Sequence, residues 1–134
     1  MDSRHLTAWI ERPADEVYAY AVEPANLPEW APGLGSEVDE LGERWFVQTA
    51  EGRIEVAFAP RNEFGVLDHR VTLVSGEVIY VPLRVIADGA DGSSSEVVFT
   101  LRRQEGMSDE DFARDEAAVA ADLARLKEVL ERRG

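Results

Sequence analysis

The first third of the chain changes from a strand pattern to a helix pattern. Apolar and polar residues alternate over residues 4–12, and this period of two predicts a strand. Pro13 ends the strand. Asp15 and Glu16 behind it favour a helix start, because acidic side chains are stabilised at a helix N-terminus. A second short helix is predicted over residues 25–30, so we expect a helical corner between the first strand and the rest of a sheet.

The middle of the chain is a series of strand patterns separated by turn residues. Runs rich in β-branched and aromatic residues alternate with short stretches of Gly, Asp, Glu and Ser. Such a series after the helical corner predicts an antiparallel meander. The predicted strands cover residues 36–41, 44–50, 53–59, 66–74, 77–87 and 95–104.

The final segment has the strongest helical pattern. Ser108 stands at the N-cap position ahead of three acidic residues, as at a capped helix start. Apolar residues then recur at helical spacing, which predicts one apolar stripe along a helix of about six to seven turns. The stripe consists of Phe112, Val119, Leu123, Leu126 and Leu130.

A helix of this length must bury its stripe, and the available apolar surface is one face of the sheet. The predicted fold is therefore α+β: a seven-stranded curved antiparallel sheet that grips a long C-terminal helix, with two short helices after the first strand. We expect residues 1–134 to form a single domain. A gap between such a sheet and its helix is a common place for a small ligand.

Composition and charge narrow the function further. The 134 residues include 14 basic and 27 acidic side chains, for a net charge of −13, which disfavours binding to nucleic acid or to an anionic membrane. The acidic excess lies mainly in residues 11–43 and 108–122. The absence of cysteine excludes disulfides and Cys-ligated metals, and we expect no metal or cofactor. No apolar run suits a membrane span or a signal peptide, so the expected location is the cytoplasm.

Four strings of the sequence, taken with this order of elements, resemble the helix-grip superfamily. That superfamily includes the birch-pollen allergen, the START lipid-transfer domains and the bacterial polyketide cyclase/dehydrase-like (SRPBCC) proteins. The resemblance covers essentially the whole chain and implies a hydrophobic cavity between sheet and helix. Members bind lipids, hormones, quinones or polyketide intermediates, and some are enzymes. The strings are IERPADEVY at 10–18, NLPEWAP at 26–32, GVLDH at 65–69 and DFARDEAAVAADLARLKEVLE at 111–131.

His69 is the main candidate for chemistry. It shares strand parity with Leu67, Val71 and Leu73, so it should point toward the helix and the cavity. An inward imidazole can act as a general acid or base, or hold a polar group of a ligand. It can equally be a hydrogen-bonded core histidine. Asp68 has the opposite parity and should not orient the His69 ring.

Apolar and aromatic side chains of the same inward parity are expected to contact the ligand, together with part of the C-terminal helix. Tyr80 and Arg84 are expected on the outer face, and Trp30 is expected to close one end of the core. Glu116 lies beside the helical stripe, where a carboxylate facing His69 would make an acid–base pair. The predicted ligand contacts are Trp45, Val47, Val56, Phe58, His69, Val71, Val81, Phe99, Phe112, Glu116, Val119 and Leu123.

Three functions remain open on the sequence. The first is binding of a small hydrophobic molecule that resembles a lipid, a polyketide or an aromatic compound. The second is a polyketide cyclase or dehydratase that uses His69 as acid or base. The third is an acidic protein-interaction module, resembling the Hsp90-activator-like branch of the superfamily, with a partner that the sequence does not identify.

Overall fold

A computed structural model describes residues 2–32 and 37–133. The helices are α1 (Ala14–Ala21), α2 (Leu27–Trp30) and α3 (Asp109–Arg132), and a 3₁₀ turn at Pro24–Asn26 precedes α2. The strands are β1 (Ser3–Ile10), β2 (Glu37–Leu41), β3 (Arg44–Thr49), β4 (Gly52–Phe58), β5 (His69–Thr72), β6 (Val78–Val81), β7 (Leu83–Ala87) and β8 (Ser95–Arg102).

The α+β class and the long C-terminal helix are confirmed, but the predicted single sheet of seven strands is corrected. The described residues form eight strands in two antiparallel sheets, β1-β8-β7 and β2-β3-β4-β5-β6. The predicted strand 77–87 divides at Pro82, because proline has no N–H to donate to a sheet partner. On one side of Pro82, β6 pairs with β5, and on the other side β7 pairs with β8.

Other predicted elements shift at their ends. The predicted helix 25–30 divides into the 3₁₀ turn and α2. The predicted strand 66–74 shortens to β5, and Val66 keeps a single bridge to Arg84. The predicted first residue of β2, Ser36, lies outside the described residues.

Asp68 holds the junction between the two sheets together. Its Oδ1 accepts from the Leu83 N–H (3.0 Å) and Arg84 Nε (2.8 Å), and its Oδ2 accepts from Arg84 Nη2 (2.7 Å) and the Tyr80 hydroxyl (2.7 Å). The Arg84 guanidinium is the main reason that the pKa of Asp68 lies well below its usual range. The Asp68 carboxylate therefore binds Tyr80 and Arg84 of the outer face and does not orient the His69 ring, as its strand parity predicts.

The helix α3 begins as its sequence predicts, since Ser108 Oγ accepts from the Asp111 N–H (3.0 Å). Its C-terminal half covers the edge of β1, where Lys127 Nζ donates to the Trp9 carbonyl (2.7 Å). In the same half, Leu126 and Leu130 are fully buried in a core that includes Ile10 and Val17.

Candidate ligand-binding site

A cavity of about 250 Å³ separates the middle of α3, residues 115–123, from the sheets. Strands β4, β5, β6, β7 and β8 form one wall, and α2 and α3 form the others. Apart from Trp30, His69 and two aspartates, the lining side chains are aliphatic or phenyl groups. The lining residues are Leu27, Trp30, Ala31, Val56, Phe58, His69, Val71, Val81, Leu83, Phe99, Leu101, Asp115, Ala118, Val119, Asp122 and Leu123.

His69 occupies the centre of the sheet wall. It is the first residue of β5 and pairs in register with Phe58 on β4 and Val81 on β6. Its ring packs against Phe58 with centroids 5.2 Å apart, and against Phe99 with centroids 6.5 Å apart in an edge-to-face arrangement. Aromatic neighbours on two sides fix the ring against the cavity.

The environment of His69 determines which nitrogen carries its proton. Burial lowers the pKa of His69 below its usual range, so the imidazole is neutral near pH 7. Nδ1 lies 3.0 Å from the Leu67 carbonyl oxygen, which can only accept, so Nδ1 carries the hydrogen. Nε2 therefore has a free lone pair, and it has no protein partner among residues 2–32 and 37–133. His69 offers the cavity a neutral hydrogen-bond acceptor that can also act as a base.

The helix wall of the cavity carries two carboxylates, Asp115 and Asp122. Asp115, Ala118, Val119 and Asp122 follow one another at helical spacing and share one side of α3. Burial raises the pKa of Asp122 to about 6. Burial also raises the pKa of Asp115, with help from the charge of Asp111 and against the charge of Arg114. In the described part of the chain, neither carboxylate accepts a hydrogen bond from a side chain.

Comparison with known proteins identifies the architecture. No protein-family model and no curated protein matches the sequence. The Zhui aromatase/cyclase from Streptomyces sp. R1128 matches at 20% identity and a TM-score of 0.65, over 98% of this chain and 96% of that chain. The Aha1 dimer from Colwellia psychrerythraea matches at 14% identity and a TM-score of 0.76, over 98% and 97%. The chain has the helix-grip fold.

A third helix-grip structure is longer than this chain. The di-domain ARO/CYC BexL, from the BE-7585A biosynthetic pathway, matches at 20% identity and a TM-score of 0.68 over 98% of this chain. The chain spans 47% of BexL, close to half of its length. At these identities the matches establish the fold, which the four strings in the sequence predict.

The helix-grip cavity brings together eight of the twelve predicted ligand contacts. Whether they bind a ligand stays a prediction, but all eight line the same cavity. They come from the strands centred on β5 and from the middle of α3. The eight are Val56, Phe58, His69, Val71, Val81, Phe99, Val119 and Leu123.

The other four predicted contacts lie outside the cavity. Trp45 and Val47 are on β3, one strand beyond the cavity wall; Val47 is buried in the core, and Trp45 lines a separate polar groove. Phe112 is buried below the guanidinium groups of Arg4 and Arg103.

The fourth, Glu116, does not line the cavity, and two other carboxylates of α3 do. It lies on the flank of α3 that faces β1, with its Oε1 3.9 Å from Arg4 Nε. Asp115 and Asp122 lie on the opposite flank and line the cavity. Their spacing from Val119, four residues before and three after, is the sequence signal for this position.

The acidic segment 11–43 is partly neutralised by the chain itself. Glu23 lies 3.4 Å from Arg61, and Glu29 accepts from the Tyr20 hydroxyl. An acidic docking face for a protein partner stays a prediction. In residues 2–32 and 37–133, no three His, Asp or Glu side chains converge closely enough to hold a metal ion. No helix within those ranges is long and apolar enough to cross a membrane.

Proposed function

We propose that this helix-grip protein binds a small, mainly apolar molecule, with about one or two rings, between the sheets and α3. The observation that carries the proposal is the apolar cavity of about 250 Å³ with a few polar groups in its wall. An apolar cavity of about 150 Å³ can hold benzene, so this volume suits a slightly larger ring system.

The structural neighbours support this type of ligand. Zhui is named as an aromatase/cyclase and BexL as a di-domain ARO/CYC of a biosynthetic pathway, and they share this fold. The aromatic rings of Phe58, Phe99 and Trp30 offer the cavity faces on which a flat ligand can stack.

Two neighbouring alanines allow a matched test. Both Ala117 and Ala118 are exposed on α3, but Ala118 alone of the two lines the cavity, at its mouth. Calorimetry with 1-naphthalenemethanol as the probe should show saturable binding to the wild type and to Ala117→Trp. Ala118→Trp should weaken binding by about tenfold or more, because the indole blocks the cavity mouth. Equal binding by both variants would contradict the proposal.

Native mass spectrometry of the freshly purified protein gives a second test. A bound mass of a few hundred daltons should be present in the wild type and in Ala117→Trp, and absent in Ala118→Trp. Solvent extraction would then identify the compound. A bound compound retained equally by Ala118→Trp would place the ligand elsewhere.

A second candidate function is acid–base catalysis of the cyclase or dehydratase type. The observation that favours it is the neutral His69, whose ring lines the same cavity as Asp122 and whose Nε2 has no partner among the described residues. Nε2 can take a proton from a carbon between two carbonyl groups, which leaves an enolate, and the carbon then regains a proton. Asp122, with its pKa of about 6, is a candidate acid.

Proton exchange tests this chemistry without knowledge of the natural substrate. In D₂O, the wild type should accelerate deuterium uptake at the central carbon of ethyl benzoylacetate, a β-keto ester that is uncharged near pH 7, followed by NMR. His69→Gln should lose at least about tenfold of this acceleration while still binding the compound. Exchange that is unchanged in His69→Gln would remove the catalytic role.

A further inference from the structure

Three of the four polar side chains that line the cavity are hydrogen-bond acceptors. Asp115 and Asp122 are carboxylates, which accept hydrogen bonds, and His69 presents Nε2, which also accepts. None of the described residues that line the cavity is a lysine or an arginine, and His69 is neutral. The one donor in the wall, Trp30 Nε1, is shielded from solvent and has no partner within the described part of the chain.

The aromatic side chains of the cavity are a second and independent reason to expect a cationic ligand. Phe58, Phe99 and Trp30 line the same cavity as the two carboxylates. A ring face carries negative potential, so a group of rings in a desolvated site attracts cations. Aromatic rings combined with carboxylates are a common arrangement for recognising an ammonium group.

We propose that the ligand is an apolar cation, an alkyl- or arylalkylamine. Its ammonium group lies against Asp122, and its ring or chain lies against Phe58, Phe99 and Trp30. Asp115, two helical turns or about 10.5 Å along α3 from Asp122, adds a second negative charge to the same cavity. This proposal rests on the proposed binding function and specifies the polar end of the ligand. An anion of the same size meets two carboxylates and no basic partner, so it is excluded.

Asp122 is the carboxylate of the cavity wall that a bound cation would stabilise most. Its pKa of about 6 reflects a carboxylate that has lost water without gaining a partner. A bound ammonium group supplies both the opposite charge and hydrogen-bond donors. The ligand therefore relieves the unfavourable desolvation that the folded protein carries at this position.

Three naphthalene compounds with the same ring and different polar ends test this inference. They are 1-naphthylmethylamine as the cation, 1-naphthalenemethanol as the neutral probe and 1-naphthoate as the anion. Calorimetry at about pH 7.5, where Asp122 is ionised, and about 0.15 M salt, which screens the net charge of −13 over distance, compares their affinities. We expect the amine to bind about tenfold or more tighter than the alcohol, and the alcohol tighter than the naphthoate.

Two variants with the same change in charge identify the partner of the ammonium group. Asp122→Asn should lower the affinity for the amine by about tenfold and change the affinity for the alcohol by less than about threefold. Glu116→Gln removes a carboxylate from the same helix outside the cavity, and should change the affinity for the amine by less than about twofold. Binding of the alcohol shows that each variant is folded.

The outcomes separate this inference from the function on which it rests. Equal affinity for the amine and the alcohol, or tightest binding of naphthoate, would overturn the cationic ligand while the apolar site stands. Equal loss of amine affinity in Glu116→Gln and Asp122→Asn would show attraction to the net charge and would also overturn it. Failure of all three compounds to bind would overturn both.

Discussion

Two stretches of α3 pack differently against the rest of the protein: an open half, residues 115–123, and a packed half, residues 124–132. In the packed half, Leu126 and Leu130 belong to the buried core and are 1% and 0% exposed. In the open half, Ala118 and Val119 line the cavity. Burial of Leu126 and Leu130 stabilises the fold, whereas the open half borders a space that a ligand can occupy.

The two flanks of α3 differ in whether their charged side chains have partners. The flank that carries Glu116 and Lys127 faces β1 and pairs with Arg4 and the Trp9 carbonyl. The flank that carries Asp122 faces the cavity and has no such partner in the described residues. Polar groups left without partners in a cavity wall are typical of functional sites.

Truncation should show the largest difference between the two halves. Leu130→Ala leaves a hole in a closed core and should lower the free energy of unfolding by ~2–5 kcal/mol. Val119→Ala enlarges an existing cavity and should cost ~1 kcal/mol or less. Urea denaturation followed by circular dichroism compares the two variants. Equal losses would contradict the division of α3 into a packed half and an open half.

Enlarging a valine in each half should change stability in opposite directions. Val129→Leu adds a methylene to the packed half and should destabilise the protein by ~1–3 kcal/mol. Val119→Leu extends into the cavity and should stabilise it by ~0.5–1 kcal/mol while weakening binding of 1-naphthalenemethanol. Thermal unfolding and calorimetry measure both effects. Destabilisation by Val119→Leu would indicate that no usable space exists beside it.

The pH dependence of stability should identify the unpartnered carboxylate. The pKa of Asp122 rises from 3.8 to about 6 on folding, so the folded state binds more protons than the unfolded state between these values. Stability is therefore lost as pH rises from about 4 to about 6, and the loss is complete above that range. At pH 7, Asp122→Asn should be more stable than the wild type by ~1–2 kcal/mol, after allowance for partial solvent screening.

Urea denaturation at pH 4, 5, 6 and 7 measures this dependence. The difference between wild type and Asp122→Asn should grow over that range, and Glu116→Gln should stay within about 0.5 kcal/mol of the wild type throughout. A difference that does not change with pH would show that the Asp122 carboxylate is solvated in the folded protein.

Local patterns in the sequence are sufficient to predict several parts of this structure. The capped start of α3 depends on neighbouring residues, so Ser108 identifies it directly. The inward position of His69 follows from strand alternation. Trp30, expected to close one end of the core, does so at the cavity wall. The outward position of Tyr80, which is 45% exposed, follows from the same alternation as that of His69.

Other parts depend on contacts between distant elements. Pro82 is visible in the sequence, but the exchange of sheet partners at this residue depends on where β5 and β8 lie. Glu116 and Asp115 flank the same apolar stripe at equal sequence distance from it. Which flank faces the cavity depends on how α3 is rotated on the sheet, and no helical period specifies that rotation.

Methyl NMR with 1-naphthalenemethanol would show whether the ligand binds beside the open half of α3, because it observes both halves of the helix in one experiment. The cavity account predicts saturable shift changes at the methyl groups of Val71, Val81 and Val119, which line the cavity. It predicts little change at Val17 and Leu130, which belong to the closed core. Shift changes that are strongest at Val17 and Leu130, or no saturable change at the cavity methyl groups, would contradict it.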